Sequence, residues 1–187
     1  YEFIFSKYSN KLNNDLKGYS VLNYLSSHDD GGPFDANRTK TIESGTKLLL
    51  SPGLSQVYYG DESARSLVIE GTKGDATLRS FMNWEAIKSN PETQKTLLHW
   101  QKLGQFRKNH SSVGAGIHKQ ISAQPYTFSR TFSKGVYSDN VVVGLDLAIG
   151  TKELSVGSVF ANGTLLKDAY SGKEVRVVNG KVNIDSE

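Results

Sequence analysis

His28-Asp29-Asp30, followed by Gly31-Gly32, stands directly after an apolar and β-branched run, Tyr19-Ser20-Val21-Leu22-Asn23-Tyr24-Leu25. The run predicts a buried strand over about 21–25. A strand that ends in titratable side chains presents them at its carboxyl end, where parallel α/β architectures carry their chemistry. Three chemistries fit these residue types, against the plain alternative of a polar loop after an ordinary strand. A metal site fits poorly, because three consecutive positions of an extended segment do not converge on one ion and no second His/Asp cluster at ligand spacing follows. A nucleophilic triad needs a serine on a sharp elbow, and Gly-x-Ser-x-Gly is absent. The third uses the residues best: a carboxylate accepts hydrogen bonds from vicinal hydroxyls while the neighbouring histidine donates one, which suits a sugar. The same carboxylate stabilises positive charge at an oxocarbenium centre.

The elements around this run are predicted as helix, strand, helix, strand, helix. Phe5, Tyr8 and Leu12 share one face of a helix that runs to about Asn14, and Gly18 stops it. A second helix spans about 37–50, with Ile42, Leu48 and Leu49 on its buried side and Ser51-Pro52-Gly53 at its end. Gln56-Val57-Tyr58-Tyr59 reads as a second strand ending in Gly60-Asp61-Glu62, and an irregular stretch leads to about Asn83. A strong helix then starts at Pro91 and runs to about Lys108. Such alternation implies a parallel sheet. Two strands neither bury a parallel sheet on both faces nor close a barrel, so the chain reads as the tail of a larger α/β domain.

After about Ser112 the pattern becomes short β-rich runs at 117–121, 126–132, 140–147, 158–161, 164–167, 175–178 and 181–184. Turns such as Asn162-Gly163 and Asn179-Gly180 separate them, which predicts an antiparallel sandwich. The expected division is therefore 1–112 and 113–187. The 187 residues carry a net charge of only +3, with basic residues scattered, so nucleic acid is not implied. No apolar stretch reaches membrane-spanning length. The absence of cysteine excludes disulfides and thiolate metal sites.

Several runs, taken in order, resemble the α-amylase family, glycoside hydrolase family 13. Asn23 to Asp29 resembles its strand-seven motif, and Gln56-Val57-Tyr58-Tyr59-Gly60-Asp61-Glu62 its strand-eight motif. Arg79-Ser80-Phe81-Met82-Asn83-Trp84 is similar to the Arg…Met-x-Trp stretch of the following loop, and Leu103 to His110 to the end of the last barrel helix. The tail, with Phe128-Ser129-Arg130 and Asp168-Ala169-Tyr170-Ser171-Gly172, resembles the family's C-terminal sandwich. Ser26-Ser27 before the histidine, in place of the commoner Glu-Asn, is similar to the periplasmic or secreted bacterial subgroup. The chain departs from the family at Asp30-Gly31-Gly32-Pro33, where relatives often carry Thr or Asn and an Arg.

The resemblance implies an α/β plus all-β fold class: the C-terminal portion of a (β/α)8 TIM barrel over 1–112, then an antiparallel β-sandwich over 113–187. It implies a retaining glycosidase acting on internal α-1,4-glucosidic bonds of starch, glycogen or maltodextrins. Asp29 would be the third catalytic carboxylate and His28 a donor to the same sugar. The family's nucleophile and acid/base residues lie upstream, so the chain alone is expected not to turn over. No cofactor or metal ligand is expected in this chain, although a structural calcium belongs to the longer parent and is held mainly by upstream residues. The expected partner is an α-glucan or maltooligosaccharide, with no nucleic acid or membrane, in a monomeric, periplasmic or secreted parent. The alternatives are a non-catalytic glucan-binding or interaction module, or a sibling α-glucosidase or transglycosylase. Asp30 is expected as a turn residue, and Asp61 and Glu62 as loop anchors. Tyr58, Tyr59 and Trp84 divide between sugar stacking and core packing. His99, His110 and His118 read as surface or internally satisfied histidines.

Overall fold

The computed structural model describes residues 1–186. Among these residues five α-helices, one 3-10 helix (Gly74–Leu78, between β2 and α3) and nine strands follow one another: α1 (Glu2–Asn13), β1 (Leu22–Asn23), α2 (Thr41–Leu49), β2 (Leu54–Ser55), α3 (Trp84–Ser89), α4 (Pro91–Asn109), α5 (Ser111–Ala115), β3 (Ile117–Ala123), β4 (Tyr126–Lys134), β5 (Tyr137–Leu145), β6 (Gly150–Ser155), β7 (Leu165–Lys167), β8 (Glu174–Arg176) and β9 (Lys181–Ser186). β1 and β2 pair in parallel, Leu22 opposite Leu54 and Asn23 opposite Ser55. Parallel strands need a crossover connection, and α2 supplies it. Both strands are shorter than their apolar runs, and the pairing sits two or three residues earlier than expected on the second. The Asn23 side chain accounts for this, since it donates to the carbonyls of Pro52 (2.9 Å) and Leu54 (3.0 Å) and clamps the strand to the turn before β2.

α4 is the best-defined helix, and its start follows from sequence. Asn90 Oδ1 accepts from the amides of Glu92 (2.9 Å) and Thr93 (3.1 Å), with Pro91 in the first turn where no amide is needed. It packs on α2 through Trp100, whose indole donates to the Thr41 carbonyl at 3.0 Å. Gly45 permits this approach, because a Cβ there would lie 2.7 Å from the indole nitrogen. Near its end, Arg107 donates to the carbonyls of Leu49 (3.0 Å), Ser51 (2.8 Å) and Gly53, closing the C-terminus of α2 and the turn into β2. The short helix α3 falls between the irregular stretch expected to about Asn83 and the helix expected from Pro91; six residues are too few to show a helical repeat.

β3, β4 and β5 form an antiparallel meander, and β6–β9 and β7–β8 are antiparallel pairs. One core gathers Phe5, Leu48 to Leu50, Trp100, Leu103 and Val113 against Phe128 and Val141 of the meander. It therefore draws on residues from both sides of position 112. A second core holds Leu154, Val156, Val177 and Val182, with Val142 packed on it from the other face of β5. The expected strand at 158–161 is instead a turn: the amides of Val159 and Phe160 both donate to the Val156 carbonyl at 2.9 Å. The run's apolar character is explained by Phe160 packing on the second core. β6 escaped the sequence reading because Leu154 alone of its residues is buried, leaving no alternation to detect.

α1 is tied to the meander by polar contacts. Glu2 Oε2 accepts from the Tyr126 hydroxyl (2.8 Å) and lies 2.9 Å from His118 Nε2. Arg130 Nε donates to His118 Nδ1 at 3.3 Å, which fixes a neutral ring protonated on Nε2. Burial pushes the His118 pKa down and the Arg130 charge adds to this, against the opposing pull of Glu2. Burial also works to raise Glu2, but the hydrogen bonds from His118 and Tyr126 prevail and lower it. Both folded-state values lie below their unfolded ones, so both groups contribute stability that is lost as pH falls. For His118 the loss begins near the unfolded value of about 6.5. Thermal unfolding followed by circular dichroism is expected to show a lower midpoint at pH 5 than at pH 7.5. His118→Gln lowers the midpoint at pH 7.5, by about 1–3 kcal/mol of lost stability, and flattens the fall between the two.

Candidate active site

The site grows from the carboxyl ends of β1 and β2, and a buried carboxylate joins them. Three residues beyond β1, Ser26 Oγ lies 2.7 and 2.9 Å from the two oxygens of Asp61, which follows β2. Both side chains are fully buried. Arg38 completes the group, with Nη2 2.7 Å from Asp61 Oδ1 and Nε donating to the Arg65 carbonyl at 2.8 Å. Asp61 thus holds both ends of the segment 27–37, which contains His28 and Asp29. Within it, the Phe34 amide donates back to the Leu25 carbonyl at 2.8 Å. Asp30 Oδ1 accepts from the Gly32 amide at 3.0 Å, a turn role. Asp35 accepts from the amides of Thr39 and Lys40, both at 2.8 Å, just ahead of α2.

His28 and Asp29 project outward from this frame. Their side chains are 66% and 62% exposed, with His28 Nε2 3.7 Å from Asp29 Oδ2. Asp29 Oδ1 accepts from Ser27 Oγ at 2.8 Å, so one oxygen is oriented by the protein while the other faces solvent and the imidazole. The His28 carbonyl accepts from Arg79 Nε at 3.1 Å, joining the site to the loop before α3. This arrangement offers a fixed carboxylate and an adjacent ring N–H to a hydroxylated ligand. Two open cavities, about 520 and 790 Å³, lie elsewhere, beside Tyr1 and Asp146 and between α1 and Ile117.

The motif after β2 has a structural task. Gly60 has φ +89°, and a Cβ there would lie 2.4 Å from Arg65 Nε, so glycine is required by both conformation and space. Glu62 accepts from the Gly60 amide at 2.9 Å. Arg65 is buried beneath this turn, with its guanidinium 3.9 Å from the Tyr59 ring centroid and 5.3 Å from that of Tyr58. It donates to the carbonyls of Tyr59 (3.0 Å), Leu78 (3.4 Å) and Ser80 (3.1 Å). The two tyrosines also donate through their hydroxyls, to Leu78 and Ser80. Both pack on this arginine, although Tyr59 stays 43% exposed. Trp84 is 63% exposed at the start of α3. The three other histidines are satisfied internally: His99 by Thr46 and Tyr170, His110 by Asp139, and His118 as described above.

The sequence reading used Ser27 only as a mark of resemblance to a bacterial subgroup and gave neither it nor Arg38 a role at the site. A serine two residues before an aspartate is a local-turn signal and was available for Ser27. Arg38 reaches Asp61 across 23 residues, and no local pattern announces such a contact.

The periplasmic α-amylase of Escherichia coli is 40% identical over 116 residues, 62% of this chain and 16% of that protein. Over these residues the chain is similar to that enzyme. No family model matches this chain. An Anoxybacillus α-amylase superposes with a TM-score of 0.60 at 20% identity, over 98% of this chain and 42% of that one. AmyP in complex with maltose gives 0.62 at 15% identity, over 96% and 42%. These two likenesses are of fold. The chain thus spans about a sixth of the periplasmic enzyme and about two-fifths of the solved chains. Among the described residues, no group of three or more His, Asp or Glu side chains is placed to hold a metal ion.

The Asp61 anchor has a measurable consequence. Asp61→Asn leaves Arg38 without its countercharge in a buried setting, where breaking an ion pair is strongly destabilising. The expected loss is about 3 kcal/mol by chemical denaturation, with amide hydrogen exchange accelerated across 27–38 more than in the meander. Uniform acceleration throughout the chain would contradict the anchoring role.

Proposed function

We propose that this chain forms the C-terminal part of a retaining α-amylase, the last portion of its (β/α)8 barrel followed by its β-sandwich. In this reading Asp29 is the catalytic carboxylate that supports the transition state and His28 binds the same sugar. The observation that carries it is the placement of Asp29: an exposed carboxylate, oriented by Ser27, beyond the carboxyl end of a parallel strand pair. The match to a periplasmic α-amylase supports the reaction class and a periplasmic or secreted location. The complex of AmyP with maltose supports an α-glucan or maltooligosaccharide as ligand.

Retaining hydrolysis proceeds by double displacement. One carboxylate attacks the anomeric carbon while a second carboxyl group protonates the departing oxygen; water then enters as that residue acts as base. Between these events the ring carries oxocarbenium character. Asp29 accepts hydrogen bonds from ring hydroxyls and stabilises the developing positive charge. The His28 ring donates to a hydroxyl of the same sugar and restricts its orientation. Nucleophile and proton donor come from residues of the longer polypeptide, so this chain by itself binds without turnover.

In a polypeptide that joins this chain to the rest of the barrel, Asp29→Asn is expected to lower hydrolysis of maltoheptaose at least about 100-fold. The unfolding midpoint stays near the parent value, because the side chain is exposed. Turnover close to the parent's would overturn the assignment. Product analysis on the same substrate separates internal cleavage from exo-action or transfer, the activities of a sibling α-glucosidase or transglycosylase.

A further inference from the structure

The chain holds two Asn-Gly dipeptides, Asn162-Gly163 and Asn179-Gly180, and the fold brings them into contact. Asn179 and Gly180, with φ of +50° and +72°, make the tight turn into β9. Amide-to-carbonyl bonds of 2.9 Å run in both directions between Val178 and Lys181 and close it. The turn sits on the chain that follows β6. The Gly180 carbonyl accepts from the amides of Val156 and Gly157, both at 2.8 Å, and a Cβ on Gly157 would lie 2.8 Å from the Gly180 Cα. The Gly180 amide donates to Asn162 Oδ1 at 2.7 Å. The Gly163 amide donates to the Val177 carbonyl at 2.9 Å. Asn162 is thus engaged twice, through its own side chain and through the amide that follows it. Asn179 differs: its side chain is exposed and makes no hydrogen bond to the described residues.

We infer that Asn179 is a deamidation site and that the Asn162 carboxamide is its brake. An asparagine deamidates when the next backbone nitrogen loses its proton to a base and attacks the side-chain Cγ. The new N–C bond closes a five-membered succinimide, and the carboxamide nitrogen takes up a proton and leaves as ammonia. Water then opens either carbonyl of the ring, giving aspartate or isoaspartate. The sum is gain of water and loss of ammonia, with no change of oxidation state. A glycine after the asparagine, lacking a Cβ, leaves this attack unhindered. At Asn179 the electrophile is free in solvent, and the attacking nitrogen is restrained by its bond to Asn162. Its proton is withheld from base until that bond opens, as in amide hydrogen exchange. At Asn162 two bonds must open together, the one from Gly180 to its side chain and the one from Gly163 to Val177. Isoaspartate adds a methylene to the main chain, which a two-residue turn closed on both sides does not accommodate. Modification therefore loosens the turn into β9.

Incubation of the chain at pH 8.5, followed by peptide mapping with mass spectrometry and isoaspartate detection, tests this. In the parent, Asn179 is expected to convert ahead of Asn162. Asn162→Ala is expected to raise the Asn179 rate about fivefold, the effect of one ordinary hydrogen bond, with a matching rise in hydrogen exchange of the Gly180 amide. Asn162→Asp keeps an acceptor oxygen, so its Asn179 rate stays at or below the parent's. Parent-like conversion of Asn179 in Asn162→Ala overturns the brake, as does equal acceleration in Asn162→Ala and Asn162→Asp. Faster exchange across β3, β4 and β5 to the same degree marks a general loosening of the fold and overturns it too. Conversion of Asn162 as fast as Asn179 overturns the site itself. That comparison needs only the parent, so it decides whatever the variants do to folding.

Discussion

A carboxylate removed from water must be matched by donors, and Asp61 is matched by Ser26 and Arg38. These partners lie on opposite sides of the segment that carries His28 and Asp29. The requirement to satisfy one charge therefore fixes where a whole loop leaves the sheet and where it returns. At one end of the loop Leu25 packs on the helical core, whereas Phe34 is 39% exposed. Polar complementarity sets the site's position here, and the site residues are free to remain in solvent.

Cations elsewhere in the molecule are treated differently. Arg65 and Arg107 are anchored mainly by backbone carbonyls, and Arg130 by the Val113 carbonyl together with the His118 ring. The guanidinium suits this role, because its planar fork of donors spans several carbonyls at once and its face lies against aromatic rings. Arg130 illustrates the energetic side: burial lowers its pKa to about 9, yet it still sits over the rings of Phe5 and Phe128. Each of these arginines joins segments distant in sequence. Arg107 closes α2 onto α4, Arg130 links α5 to β4, and Arg65 supports the loop at Leu78 and Ser80.

Much of this architecture was legible in the sequence. The Asn90-Pro91 start of α4, the Pro52-Gly53 stop after α2 and the Asn179-Gly180 turn all rest on local chemistry that the chain states openly. The parallel pairing of β1 with β2 followed from a strand–helix–strand order. What escaped was whatever depended on distant partners. β6 has one buried residue and no visible period, while Phe160 sits in an apolar run that bends inward as a turn. At the site, the sequence singled out His28 and Asp29 by type and order, and both stand exposed beyond β1, while Asp30 took the turn role expected of it. The tyrosines were ambiguous because an aromatic pair reads alike whether it meets a sugar or an arginine.

The two faces of β5 have a further meaning for how the chain reaches its native state. Val141 and Val143 enter the helical core, while Val142 enters the second one. Side chains alternate along a strand, so a slip of one residue in the pairing with β4 exchanges these sets and removes apolar groups from both cores together. Register errors are therefore penalised twice, once in each core. The meander acts as a common reference, through which the helical layer and the outer strands agree on one alignment before either can be completed.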